Sequence, residues 1–397
     1  MAKKLGGSAI GKLAGIAGIV SAAVLAACGG GGGGGGSDPG QGTLSMAITD
    51  APPCYRSVKV TVEKVRVQKS ATASESDGGW QDIVPAGGPV TIDLLDLTNG
   101  AVKDLGSTTV EAGAYSQVRL VLAENTQAKT VNSVTLLDGT VVPLTTPSAQ
   151  QSGLKIKGDF DVTANATTPM LLDFDACKSI VVAGNSGQYI LKPVVRLTAK
   201  AAGSVQGYVT TTMSLTATRV SAQQGGEVMR STRPDAAGKF TLAYLPTGTY
   251  TVVITSDNRA TGVVESIPVG TSTVVLNGTA TAVVLPTSAM GTVTGTVTAA
   301  GSPVTDAAVT ALQSIGSQLL EIASTNVDFT TAVYKLSLPT AAPVKATYAG
   351  APLTSSSFTA AGTGGTYTLR ADSSSKGTKT TTTSVTPATT TTTNITY

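Results

Sequence analysis

The sequence predicts an all-β protein, and three observations carry that prediction. Apolar residues recur with a period of two in segment after segment, as in Val58, Val60 and Val62 set against Lys59, Thr61 and Glu63. Gly, Thr, Ala, Ser and Val dominate the composition, which supplies β-branched residues and turn formers and few long helix formers. No long segment with a 3.6-residue period competes. At 397 residues, the chain has room for three to four domains.

The strands can be read in order. After Val62 the alternation slips by one residue and resumes at Val65 and Val67, which predicts a β-bulge near Glu63–Lys64. Val118, Leu120 and Leu122 alternate with Arg119 and Val121. Val134 and Leu136 lead through Asp138-Gly139 to Val141, the pattern of a hairpin with a primed turn. Met170, Leu172 and Phe174 share one face, and Tyr189, Leu191, Val195 and Leu197 another.

Residues 203–285 and 291–397 read as two copies of one plan. Gly203-Ser204-Val205-Gln206-Gly207 opens the first and Gly291-Thr292-Val293-Thr294-Gly295 the second. Lys239-Phe240-Thr241-Leu242-Ala243-Tyr244-Leu245-Pro246 corresponds to Lys335-Leu336-Ser337-Leu338-Pro339. Phe240, Leu242 and Tyr244 are expected to point inward, and Tyr250, Val252 and Ile254 to return after the turn. In the second copy the return strand is delayed to Tyr367-Thr368-Leu369 by an insertion of about 25 residues. The threonine-rich end, 376–397, matches the closing strands of the first copy and is expected to form strands, although composition alone suggests a stalk.

The N-terminus carries an address. Lys3, Lys4 and Lys12 precede an apolar stretch, Leu13 to Ala27, that is shorter than a membrane-spanning helix and interrupted by glycine. Residues 1–27 therefore read as a signal peptide. Leu25-Ala26-Ala27-Cys28 resembles the lipobox of bacterial lipoproteins. The resemblance implies cleavage before Cys28 and acylation of its thiol and new amino group, enough buried CH₂ for stable anchoring in a bilayer. Gly29 to Gly36 and Ser37-Asp38-Pro39-Gly40 extend a tether over 28–41. Gly29, in place of the aspartate that favours inner-membrane retention in enterobacteria, leans towards the outer membrane.

Residues 42–200 form the next domain. Within it, Thr49-Asp50-Ala51-Pro52, Ile92-Asp93-Leu94-Leu95, Gly113-Ala114-Tyr115-Ser116-Gln117-Val118 and Leu191-Lys192-Pro193 resemble the lipoprotein domain catalogued as domain of unknown function 4382. That resemblance implies export and a β fold and assigns no activity. The two later units, 203–285 and 291–397, resemble transthyretin-like or carboxypeptidase-regulatory-like sandwiches, grouped with carbohydrate-binding-like folds, which implies non-catalytic modules.

Site chemistry is sparse. Histidine is absent, which removes the commonest general base, the Ser-His-Asp and Cys-His systems and the usual zinc ligands. The three leader lysines account for the net charge of +3, so the mature chain is balanced at 24 basic and 24 acidic residues and carries no basic stripe for nucleic acid. With Cys28 taken by lipid, Cys54 and Cys177 are expected to form a disulfide in an oxidising compartment. It would close a loop of about 124 residues and contribute about 4–5 kcal/mol; two buried thiols are the alternative. Asp159 with Asp161, and Asp173 with Asp175, form i, i+2 pairs that read as solvated sheet faces in preference to a calcium site. Asp50 reads as a turn former. Trp80 reads either as a plug at the start of a strand or as a platform for a sugar.

These features point to a membrane-anchored extracytoplasmic module for binding or adhesion, with no catalytic residue, metal or cofactor. Its partners would be the bilayer, through acylated Cys28, and a glycan or an envelope protein. A spacer or assembly component without a small ligand, and a carboxylate-dependent hydrolase, are the alternatives.

Overall fold

In the computed structural model, the described residues are 40–50, 55–147, 153–156, 158–183, 187–192 and 194–397. The leader, Cys28, the glycine tether and Cys54 lie outside them, as does the side chain of Asp50. Residues Pro39–Tyr397 form one compact unit. It is built almost wholly of strands, and no helix among the described residues is long and apolar enough to cross a membrane.

The first core lies within the stretch from Leu44 to Leu191. A four-stranded sheet, ordered Val195–Ala199, Thr167–Phe174, Gln41–Asp50 and Lys103–Glu111, packs on a nine-stranded sheet whose long strand is Ser57–Gln68. The register of that strand against Gln117–Leu122 shifts between Val62 and Lys64, which places the bulge at Glu63 as the interrupted alternation predicts. Two expectations need correction. Leu137, Asp138 and Gly139 make a three-residue hairpin loop in which only Gly139 has positive φ (93°), so the turn is a type I turn with a glycine bulge and not a primed turn. Arg119 does not alternate outward. Every residue of Gln117–Leu122 is buried, because the loop from Ser70 to Gly79 folds over the outer face of this strand.

The second and third units repeat one sandwich. In the second, Gly203–Tyr208 is central in a three-stranded sheet, antiparallel to Lys239–Leu245 and parallel to Thr273–Val275. In the third, Met290–Ala299 lies antiparallel to Val333–Pro339 and parallel to Thr390–Thr392 and Ile395–Thr396. The threonine-rich end therefore closes this sandwich with strands. The opposing sheets also correspond, Glu227–Thr232, Arg219–Gln224, Gly248–Thr255 and Gly262–Val269 matching Gln318–Asn326, Ala307–Ile315, Thr366–Ser373 and Gly377–Ser384.

Side chains repeat as well. The Tyr250 hydroxyl donates to the Pro246 carbonyl at 2.9 Å, and the Tyr367 hydroxyl to the Pro339 carbonyl at 2.5 Å, across the delay that the insertion creates. Asn277 Oδ1 accepts from the Tyr208 amide at 2.6 Å, and Asn394 Oδ1 from the Thr296 amide at 3.0 Å. The repeated Gly-x-x-x-Gly opening has a steric cause, since residues flanking the closing strand press against it. A Cβ at Gly295 would sit 2.0 Å from the Thr393 carbonyl oxygen, and one at Gly291 2.3 Å from Val385 Cγ1. Gly295→Ala is expected to destabilise the third sandwich by about 2–3 kcal/mol through this overlap. Thermal denaturation checks it, and an unchanged midpoint would show that the closing strand does not sit this close.

Tyr244 is a further correction. A register shift inserts an extra residue between Leu242 and Leu245, so Leu245 points inward in its place. Tyr244 takes a left-handed φ of 59° and sends its hydroxyl to the Gly100 carbonyl in the first unit at 3.0 Å.

The insertion has a structural role that its sequence did not indicate. Its strand Val344–Thr347 pairs in parallel with Gly262–Val269, and Thr359–Ala360 pairs in turn with Val344–Thr347. The second sandwich's four-stranded sheet thereby becomes six-stranded. Val344, Ala346 and Leu353 are buried in the second core, while Val253 and Val263 of the second unit are buried in the third. The 203–285 and 291–397 stretches thus share cores.

Candidate functional site

Among the described residues the most deeply buried ion pairs lie where the three units meet, and one carboxylate, Glu321, takes part in two of them. Glu321 lies on Gln318–Asn326 of the third unit, with a side chain only 4% exposed. Lys178, from the first unit, donates to both of its oxygens at 2.9 and 3.2 Å. Arg219, from the second unit, donates to Oε1 at 3.2 Å. Burial works against the charge, but Arg219 and Lys178 more than offset it and hold the carboxyl below the usual glutamate range. Gln223 clamps the same residue from the second unit, its Nε2 donating to the Glu321 carbonyl at 2.7 Å and its Oε1 accepting from the Glu321 amide at 3.0 Å.

Lys178 is positioned by the short helix Ala176–Ser179. Asp175 caps this helix, accepting from the Lys178 amide at 3.0 Å. Asn326 Nδ2 donates to the Lys178 carbonyl at 2.6 Å, fixing the same helix to the third unit. Cys177 lies in this helix.

The first and second units are joined by a second set of bonds. Arg230 Nη1 donates to Asp173 at 2.7 Å and its Nη2 to Thr198 Oγ1 at 2.6 Å. Arg196 donates to the Val228 carbonyl. Asn99 Oδ1 accepts from Thr232 Oγ1 at 3.1 Å and from the Thr241 amide at 2.9 Å, while its Nδ2 donates to the Arg233 carbonyl at 2.9 Å. The Asp173–Asp175 pair is therefore not a solvated face. Asp173 is committed to Arg230, burial pushing its carboxyl upward against the pull of that guanidinium, and Asp175 to the helix cap. Asp159 and Asp161 are exposed. No group of three or more metal-ligating side chains occurs among the described residues.

Trp80 stands apart from this junction. Its indole Nε1 donates to the Ser74 carbonyl at 2.9 Å, and the guanidinium carbons of Arg119 and Arg66 lie 4.5 and 5.1 Å from its ring centroid. The half-buried ring thus roofs Arg119. Cys28 and Cys54 cannot be placed, both lying outside the described residues.

Beside the Glu321 clamp is a cleft of about 320 Å³. Lys178, Arg219, Arg233 and Arg259 line it with Asp175 and Asp257, together with serine and threonine hydroxyls and the apolar Met290, Ile322 and Pro339. The sequence reading missed this site because its members are scattered over the whole chain. One signal was available: Glu321 interrupts the apolar run Leu319-Leu320-Glu321-Ile322, where a charge needs partners.

The fold and junction define an all-β body in which β-sandwich units are bonded to one another through charged side chains. Residues 41–193 match the family model described as a domain of unknown function (DUF4382). No curated protein matches the sequence. Among solved structures, the TIE protein of Bacillus anthracis is similar at 12% identity over 90% of this chain and 51% of that one, with a TM-score of 0.19. The chain spans about half the length of that protein. A streptococcal ancillary pilin is similar at 10% identity over 89% of this chain and 98% of its own, with a TM-score of 0.17. A variant of the major pilin subunit of Bacillus cereus is similar at 10% identity over 89% and 99%, with a TM-score of 0.14.

Proposed function

We propose that this chain is a lipid-anchored extracytoplasmic module that binds or adheres at the cell envelope and performs no catalysis. The supporting observation is the buried Glu321 clamp, which joins three units through one carboxylate and makes a single body suited to carrying load or presenting a surface. The leader, the Leu25-Ala26-Ala27-Cys28 lipobox and the glycine run supply the address and the leash. A disulfide between Cys54 and Cys177 ties the start of the first unit to the helix that carries Lys178. A glycan or an envelope protein is the partner, and the outer membrane is the site of anchoring.

Detergent phase partition tests the anchoring. The native chain is expected in the detergent phase, with acyl chains on Cys28 by mass spectrometry, and Cys28→Ser in the aqueous phase. An intact leader with an unmodified Cys28 in the native protein would remove the proposal's foundation.

A further inference from the structure

We propose that the cleft at the junction of the three units binds a carboxylated saccharide, taking one hexuronate ring with its carboxylate on Arg259. The inference deepens the reading of the chain as an extracytoplasmic binding module and rests on it. The cleft's volume of about 320 Å³ falls at the lower end of ligand-sized pockets, suited to a single sugar ring. Its lining is mixed in the way such a ring requires. Hydroxyls of Ser231 and Ser337 can exchange hydrogen bonds with sugar hydroxyls, and the half-buried Met290 offers apolar surface to the ring's C–H face.

Four cations, Lys178, Arg219, Arg233 and Arg259, face three carboxylates, Asp175, Asp257 and the adjoining Glu321, an excess of one that favours an anion. Lys178 and Arg219 are occupied by Glu321, which is buried beside the cleft. Arg259 differs. Among the described residues, its one side-chain hydrogen bond is from Nη1 to the Leu285 carbonyl at 2.9 Å, and it is half-buried. Its remaining guanidinium N–H groups can donate to a carboxylate, a geometry for which arginine is better suited than lysine. Asp257 also lines the cleft but is exposed, where solvent screens its repulsion. A neutral sugar would leave the arginine's donors unused, and a bare carboxylate would leave the hydroxyls and the apolar surface unused.

Calorimetric titration of the detergent-solubilised full chain tests this with galacturonate, galactose and acetate at matched ionic strength. Galacturonate is expected to saturate with a dissociation constant of about a millimolar or tighter, with galactose and acetate at least about tenfold weaker. Arg259→Gln is expected to weaken galacturonate binding by about tenfold, and Arg259→Lys by less. Ser337→Asp, at an exposed position on the cleft, is expected to abolish binding with an unchanged melting temperature. Absence of saturation by galacturonate, equal binding of galactose or acetate, or full binding by folded Arg259→Gln or Ser337→Asp would overturn the proposal. Each of these results is independent of phase partition, so loss of the ligand and loss of the anchor are read separately.

Discussion

Glu321→Ala is expected to destabilise the folded body by about 3–5 kcal/mol, because it leaves two half-buried cations facing a site built around a carboxylate. The charge-conserving comparison matters here. Breaking such a cluster by removing one member costs more than the cluster contributes as a whole, since the stranded charges are not resolvated. Lys178→Met combined with Glu321→Ala should therefore recover part of the loss, and a double-mutant cycle over the pair should return a coupling of more than about 1 kcal/mol. Urea denaturation followed through Trp80, the only tryptophan, reports the first unit, and hydrogen exchange of Arg219–Gln224 reports the second. A Glu321→Ala variant within about 1 kcal/mol of the native chain would show that the clamp does not hold the units together.

The clamp also sets an acid limit. The Glu321 carboxyl is held below its ordinary value when folded, so its contribution is complete above the unfolded glutamate pKa of about 4.3 and is lost as pH falls through the lower folded value. The difference in stability between the native chain and Glu321→Gln should accordingly shrink as pH is lowered below about 4.

Replacing residues 341–364 with a short glycine-serine linker is expected to unfold the second sandwich while leaving the first unit intact. The replaced segment supplies Val344, Ala346 and Leu353 to the second core and the neighbour of Gly262–Val269. Fully burying a valine or leucine contributes about 1.5–3 kcal/mol, so Val344 and Leu353 together contribute about 3–6 kcal/mol and the smaller Ala346 adds to that, a large share of a small domain's stability. The Lys345–Glu265 ion pair at 3.0 Å is lost as well, though a half-exposed pair adds little. Amide exchange in Gly262–Val269 should become fast, and the edge left open should promote association. Unchanged protection there would mean that the second sandwich closes without the borrowed strand. Ala346→Asp is a gentler version with the same expected direction.

How far these features were legible depended on the range of the contacts behind them. The bulge at Glu63 was readable because a one-residue slip reverses the side-chain alternation of the whole strand. The duplicated sandwich was readable because Gly203, Gly207, Gly291 and Gly295 each sit where neighbouring chain leaves no room for a Cβ, a constraint that both copies share. The delayed return strand at Tyr367 was readable for the same reason, yet the destination of the intervening chain was not. Nothing local in Val344–Thr347 says that it joins the sheet of the preceding unit. Arg119 and Tyr244 were misplaced for a related cause. Both were assigned by alternation alone, and both answer to partners distant in sequence, the loop capped by Trp80 in one case and Gly100 in the other. The Glu321 clamp joins residues separated by 143 and 102 positions, beyond the reach of any pattern along the chain.

The borrowed strand has a consequence for the order of assembly. Lys345 meets its partner Glu265 across 80 positions of sequence, so a polypeptide emerging N-terminus first presents an incomplete middle sheet until much of the following unit has also appeared. During that interval the edge at Gly262–Val269 is open to any extended segment, including one from a neighbouring nascent chain. Maturation of the middle sandwich is thereby tied to arrival of the last one, and a polypeptide arrested between them would be a natural substrate for holdase chaperones and proteases.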